Sequence, residues 1–446
     1  MSALLPMLSR VLRAGLWLLA GVLMLAALYV SLGRQLMPLV AEYRSEIEQQ
    51  LQQSLQQKLQ IEQLEGGWRG FSPLLTARYV TLGEGEAALQ VESLHIQPDI
   101  LASVLAGELR LRAVTLTGLQ LQVHEDQQGH WALQGLVLQD TEQAAFHLND
   151  LLAKLQYVGR LSVLDSRIIV QAAEREPLAL TYAGFTLRQS GAQRRFDLSA
   201  VLPDGEKLEL SAQGQLIADD WRKSALTLYL KTPSSNLAQW LPQQYLQSWQ
   251  LTTFKAGAEL WLQAAQGQVN SAALRLNTLE LHGQQADAEP LQIQSHDGLA
   301  WYQRSAGVQR AWFERFVVQI DELPARDLSV LASYENADTA QWRLALERLE
   351  LSDLHYVLER VVELPAVAAD VLHSMQPRGA LQNLQVRWQP DAELAERLEF
   401  VSNVENIEFS AWHDVPAASG INGLISGDLL QGELRLATDS GFSLHL

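Results

Sequence analysis

Leu109-Arg-Leu-Arg-Ala-Val-Thr-Leu-Thr-Gly-Leu-Gln-Leu-Gln-Val123 sets the fold class of this chain. Apolar and polar residues alternate at Leu109 and Leu111, and again at Leu119, Leu121 and Val123. A period of two marks a β-strand with one face turned to apolar surroundings. Between the two runs the phase slips, since Val114 and Leu116 fall on even positions. A strand that changes phase needs bulges, and bulges bend and twist it. A strongly curved sheet is the expectation.

The same rhythm extends outward through Leu89-x-Val91, Leu94-x-Ile96, Leu161-x-Val163 and Leu208-x-Leu210. Gly66-Gly67, Asp204-Gly205, Gly267 and Asp297-Gly298 punctuate it as turn signals. Strands at hairpin spacing predict antiparallel meanders, and no strand–helix alternation of the parallel kind appears. The fold class is therefore mainly β, an elongated, curved antiparallel β-groove with a few interspersed helices. Leu237, Trp240, Leu241, Tyr245 and Trp249 fit one helical face after the capping run Ser234-Ser235-Asn236. Leu351, Leu354, Leu358, Val361 and Val362 fit a second, and Val367, Val371, Leu372 and Met375 a third. Of the 12 tryptophans, Trp131, Trp261, Trp301, Trp312, Trp342, Trp388 and Trp412 fall in strand-like segments, either filling a core or sitting near lipid headgroups.

Before the strands comes an uncharged run, Ala14 to Gly33, between Arg13 and Arg34. As a helix rising about 1.5 Å per residue it spans roughly 30 Å, the thickness of a bilayer's hydrocarbon core. It exceeds a signal peptide's apolar region and ends in Leu28-Tyr29-Val30-Ser31-Leu32, a poor cleavage site, so a retained anchor is expected. Arg10 and Arg13 tilt the N-terminus towards the cytoplasm. After Pro38, apolar residues recur every four positions at Leu39, Tyr43, Ile47, Leu51, Leu55 and Leu59. That narrow stripe predicts a helix packed on the following sheet. The organisation read from these signals is a stub and anchor (1–36), a linker helix (37–58), a first β-groove segment (59–232) and a continuing one with helical insertions (233–446).

Composition removes several classes of function. With no cysteine the chain has no disulfide, thiolate metal site or thiol nucleophile. Its net charge of −18 disfavours nucleic acid and anionic membrane surfaces as partners, since both need a basic face. The histidines form no H-E-x-x-H pair, and His355 with Glu359 has no third ligand nearby, so a solvated helix face is the simpler account. Phosphate loops and G-x-S-x-G elbows are missing, and Gly83-x-Gly85 lacks the third glycine of a dinucleotide fingerprint. No enzyme, cofactor or metal is expected.

The run Glu62–Gly83, E-Q-L-E-G-G-W-R-G-F-S-P-L-L-T-A-R-Y-V-T-L-G, comes first in a recognisable series. It is followed by Ile100–Val123, with its Leu-x-Gly helix end, and by Asp126–Leu133, D-Q-Q-G-H-W-A-L. That order resembles the N-terminal part of AsmA-like proteins. Pro377-x-Gly379-x-Leu381 and Ile421-x-Gly423-Leu424-x-Ser426-Gly427-x-Leu429 narrow the resemblance to the YhdP branch. It implies a single-pass bacterial inner-membrane protein with a cytoplasmic N-terminus. The bulk would be a periplasmic β-groove conducting phospholipid toward the outer membrane. Partners would be phospholipid, the inner membrane, and the outer membrane or other envelope proteins. The family carries no catalytic residues to transfer.

The physics agrees with that implication. Moving an acyl tail of about sixteen carbons through water costs on the order of 12 kcal/mol, which a continuous apolar trough removes. Leu109, Leu111, Leu119, Leu121, Val123, Leu161 and Val163 are the residues expected on the apolar side of the groove. The alternative is an envelope scaffold or outer-membrane assembly factor that conducts no lipid. The last segment, Gly432 to Leu446, is still in strand rhythm, so an exposed strand edge near 430–446 and a longer parent groove are expected.

Overall fold

The computed structural model describes residues 4–55, 58–70, 72–83, 88–125, 131–133, 157–171, 177–215, 223–238, 241, 249–285, 289–305, 307–336, 340–361, 366–437 and 441–445. They fall into two compact units, Met1–Pro203 and Asp204–Leu446.

The first unit opens with helix α1 (Leu4–Leu36), which is long and apolar enough to cross a membrane. Pro38 stands in the first turn of a 3₁₀ segment (Met37–Tyr43), where its missing N–H costs nothing. Helix α2 (Arg44–Leu55) follows. Strands β1 (Leu59–Arg69), β2 (Ser72–Leu82) and β3 (Leu89–Pro98) then form a meander. Helix α3 (Ile100–Ala106) leads to β4 (Leu111–Thr117), β5 (Gln120–Glu125) and β6 (Trp131–Leu133). Strands β7 (Arg160–Gln171), β8 (Leu178–Ser190) and β9 (Gln193–Val201) complete the unit.

Pairing in this unit is antiparallel except at β7, which runs parallel to both β4 and β5. A parallel pair needs a connection of about a dozen residues or more, and residues 134–159 supply it. Gly118 adopts φ 68° between β4 and β5, so one stretch of chain presents two strands to the same partner.

An open sheet must manage its edge. Here α2 lies along β1 and takes up its backbone groups. The Ile61 N–H donates to Glu48 Oε1 (2.7 Å), Gln52 Nε2 donates to the Leu59 carbonyl (2.5 Å), and Arg44 Nη1 to the Glu62 carbonyl (2.6 Å). Ile47 and Val40 pack on the core of Leu59, Ile61, Leu64, Ala77, Val80 and Val91. Of the four-residue stripe, Ile47 packs on the sheet as expected, whereas Leu39 and Tyr43 lie on the 3₁₀ segment and stay exposed.

The second unit is a continuous antiparallel meander. Its strands are β10 (Lys207–Gln215), β11 (Ala225–Thr232), β12 (Trp249–Ala265), β13 (Gln268–Gln285), β14 (Leu291–Ser305), β15 (Val308–Ile320), β16 (Arg326–Asn336) and β17 (Ala340–Glu350). Helices α4 (Leu351–Val361) and α5 (Ala366–Met375) interrupt it before β18 (Arg378–Trp388). The short α6 (Leu394–Arg397), β19 (Leu398–Phe409) and β20 (Ala417–Asp428) follow. β21 (Gly432–Leu436) and β22 (Ser443–His445) both pair with β20, and every residue of β21 is exposed.

The helices expected near 351 and 366 are present. Helix α4 is held by Arg326 Nε to Asp353 Oδ2 (2.8 Å) and by the Tyr356 hydroxyl donating to Asp321 Oδ2 (2.7 Å). The helix expected over 237–249 falls mostly outside the described residues. Its last member, Trp249, instead begins β12 and pairs with Gln285, because strand pairing outweighs its helical spacing. Asn236, in a bridge to Lys255, accepts the Ala238 and Phe254 N–H groups on Oδ1 (3.1 and 3.0 Å).

Candidate functional site: two apolar sheet faces

In the first unit, register places Leu64, Ala77, Leu94, Leu116, Val163, Phe185 and Leu198 in one rung across β1, β2, β3, β4, β7, β8 and β9. The neighbouring backbone row points the other way and reads Thr76, His95, Thr115, Ser162, Thr186, Asp197. One face is thus apolar from strand to strand and its reverse is polar, which alternation along each strand requires.

Most of the predicted groove residues fall on the apolar face. Leu161 and Val163 pair with Val114 and Leu116, while Leu121 and Val123 pair with Ile168 and Val170 further along β7. Leu119 packs against the core cluster, its N–H donating to the buried Ser166 hydroxyl (3.2 Å). Leu111 returns to phase opposite Pro98 through a register shift after Gln97, a slip of the kind the sequence signals. Leu109 does not join them. It precedes β4 on the loop after α3 and is 69% exposed, because Arg110 bonds back to the Asp99 and Ser103 region and delays the strand. Val114 and Leu116, out of phase by number, belong to the face because the left-handed Gly118 resets the alternation.

The second unit repeats the pattern at greater length. A single rung runs Leu210, Leu230, Leu260, Leu274, Ala300, Phe313, Val330, Leu346, Leu384 from β10 to β18. A second carries Leu228, Leu262, Tyr302, Leu344, Val386 and Phe400 on the same side. No sequence window shows these ladders, since each strand contributes only two or three members.

Exposure sets the second unit's face apart from an ordinary core. Leu228, Leu230, Leu260, Leu262, Leu274, Val330, Leu346, Leu384 and Val386 are all half-buried, and Trp342 and Trp388, paired across the same face, stay 49% and 40% exposed. Contiguous apolar surface beyond a few hundred Å² marks a site for lipid, ligand or protein.

The reverse faces carry charge. Lys255 and Glu280 pair at 2.8 Å, and the hydrogen bond from Lys255 holds the Glu280 carboxyl below its ordinary pKa. The tryptophans divide between the faces. Trp301 and Trp312 stack at 5.9 Å on the polar side, whereas Trp342 meets Tyr334 at 4.4 Å on the apolar one. Trp412 lies in an isolated bridge to Val415 and not in a strand. Two clefts also open on the polar faces: about 920 Å³ in the first unit, bordered by Arg69, Arg112 and Arg160, and about 1030 Å³ in the second, bordered by Arg310, Arg343 and Arg387. Among the described residues no group of three or more His, Asp or Glu could hold a metal ion.

The motif glycines have steric reasons. At Gly379 φ is 104°, and a β-carbon there would meet the carbonyl oxygens of Asn406 (2.5 Å) and Glu405 (2.8 Å). Only glycine allows β18 to approach β19 so closely.

Comparison with known proteins gives the same assignment as the motifs. The chain is 22% identical over 453 residues to the "Intermembrane phospholipid transporter YhdP" of Escherichia coli (strain K12), covering 94% of this chain. It spans about a third (33%) of the length of that relative. No solved structure matches it significantly. The family described as YhdP protein matches residues 1–445, and the chain belongs to that family.

Proposed function

We propose that this chain is an inner-membrane-anchored segment of a periplasmic conduit that carries phospholipid on its apolar sheet faces. The N-terminus lies in the cytoplasm, α1 crosses the membrane, and the strands stand in the periplasm. Acyl chains lie against the apolar rungs while headgroups stay in water. The observation that carries this reading is the half-buried state of rung after rung in the second unit, joined in the first by half-buried Leu94, Leu116, Phe185 and Leu198. An acyl tail laid on such a face recovers much of the roughly 0.8 kcal/mol per methylene that water denies it. No catalytic role is assigned to any residue.

Exchange of fluorescent phospholipid between vesicles carrying the full chain and acceptor vesicles tests the reading. Leu344→Glu and Val386→Glu, on the apolar face, should stop exchange, while Arg343→Gln on the reverse face should leave it intact. Equal exchange in all three contradicts conduction and leaves the scaffold alternative.

A further inference from the structure

We infer that α3 and the loop after it form a second membrane contact, which seats the first unit on the outer surface of the bilayer that α1 crosses. Three observations converge on it. The first is composition and exposure. Leu101, Val104 and Leu105 are 70%, 75% and 79% exposed, and Leu109 follows them in the loop, equally open. Three large apolar side chains project from a short helix capped at both ends, and a fourth from the loop that follows it. Asp99 Oδ1 accepts the Ala102 N–H (3.1 Å), and the Gly107 N–H reaches the Ser103 carbonyl (2.9 Å). The helix is built, and its apolar side has no protein partner among the described residues.

The second is position. Trp68, at the end of β1, packs on Tyr29 and Gly33 near the end of α1 where the apolar run stops. The next residue, Arg69, shares one cleft with Asp99 and Ala102 of the α3 region and with Arg110. The α3 tip is therefore at the same end of the sheet as the exit of the membrane span, and it continues that membrane contact.

The third is charge. In a chain of net charge −18, this cleft gathers Arg69, Arg110, Arg112 and Arg160. Among the described residues two carboxylates answer them, Glu108 to Arg110 (2.7 Å) and Asp99 to Arg112 (3.5 Å). An excess of arginine beside exposed leucines matches a bilayer of anionic phospholipid, with phosphates at the guanidinium groups and acyl chains at the leucines. A protein partner would need neither the phosphate-binding chemistry nor the proximity to the span.

The inference rests on α1 being a membrane anchor and not on lipid conduction. Because the chain has no cysteine, single labels are direct. The full chain would be reconstituted in vesicles of phosphatidylethanolamine and phosphatidylglycerol, with an environment-sensitive fluorophore on Leu105→Cys, Leu101→Cys, Leu23→Cys or Gln171→Cys. Gln171 is exposed at the far end of the strand that begins at Arg160, about 36 Å away at 3.3 Å per residue. Lipids carrying a shallow quencher should remove most emission from positions 101 and 105 and leave 171 bright. Arg110→Gln with Arg112→Gln should abolish the dependence of that quenching on phosphatidylglycerol. Quenching at 23 without quenching at 101 and 105 overturns the inference while the anchor stands. Bright labels at all four positions overturn both. Quenching at 105 whose phosphatidylglycerol dependence survives the double substitution overturns the assignment of the arginines.

Discussion

The ring of Tyr29 meets the indole of Trp68 edge-on, with centroids 5.2 Å apart and planes at 64°. Tyr29 belongs to the apolar run of α1 and Trp68 to the last turn of backbone in β1, so this contact joins the span to the sheet. Gly33 completes it, because any β-carbon there would occupy the space of the indole.

Gly33→Leu should therefore uncouple span and sheet. Leucine suits the helix and the membrane, so α1 itself should persist. Amide exchange at Glu65, Gly67 and Trp68 should rise about tenfold, the equivalent of ~1.4 kcal/mol of lost local stability. Unchanged exchange would mean that the contact does not hold the two together.

Glu48→Ala should expose the edge of β1. It removes the acceptor of the Ile61 N–H and should cost about 1 kcal/mol, discounted from the usual value for a charged acceptor because α2 is only half-buried. Faster exchange at Ile61 and concentration-dependent association are the expected results, read by amide exchange and light scattering.

The two faces of β7 should respond oppositely to charge. Val163 is buried on the apolar face, and its neighbour Leu164 is exposed on the polar one. Val163→Asp buries an unpaired carboxylate and should cost about 4 kcal/mol or prevent folding, whereas Leu164→Asp should change stability by less than about 0.5 kcal/mol. Chemical denaturation of the full chain distinguishes them, and equal losses would reverse the assigned phase.

Asp428 gives a pH signature. Its carboxylate accepts the Leu430 and Gln431 N–H groups (2.6 and 2.9 Å) in the turn from β20 to β21, and these bonds hold its pKa below the ordinary value. A lowered folded pKa stabilises the turn at any pH above the unfolded value of about 4, and that contribution fades as pH falls through the folded one. Exchange at Leu434 should accelerate below pH about 4 in the native chain and lose that acid-dependent step in Asp428→Asn.

Much of this architecture was legible in residue order. The strand rhythm expected from residue 59 begins there with β1, and Ile47 of the four-residue stripe packs α2 on the sheet, although Leu39 and Tyr43 stay exposed. What escaped was non-local. Nothing near Leu161 signals that β7 pairs parallel with β4 and β5, because the partners lie beyond a long connection. Leu109 alternates correctly with Leu111 yet lies outside the strand, since hydrogen bonds to the α3 turn compete for its neighbour Arg110. Val114 and Leu116, out of phase by parity, share the apolar face because the left-handed Gly118 follows them and a register shift at Gln97 precedes them. The ladders of the second unit follow from register, a property of pairs of strands that no single window contains.

The central claim is that acyl chains lie on the apolar faces. It is tested most directly by photo-crosslinking in living cells, with a benzophenone side chain placed singly at Leu121, Val123, Leu230 or Leu344. Matched controls stand on the reverse face at Gln122 and Arg343. Covalent phospholipid adducts, identified by mass spectrometry, should form at the four apolar positions and not at the controls. Adducts at both sets alike, or at neither, would contradict the account.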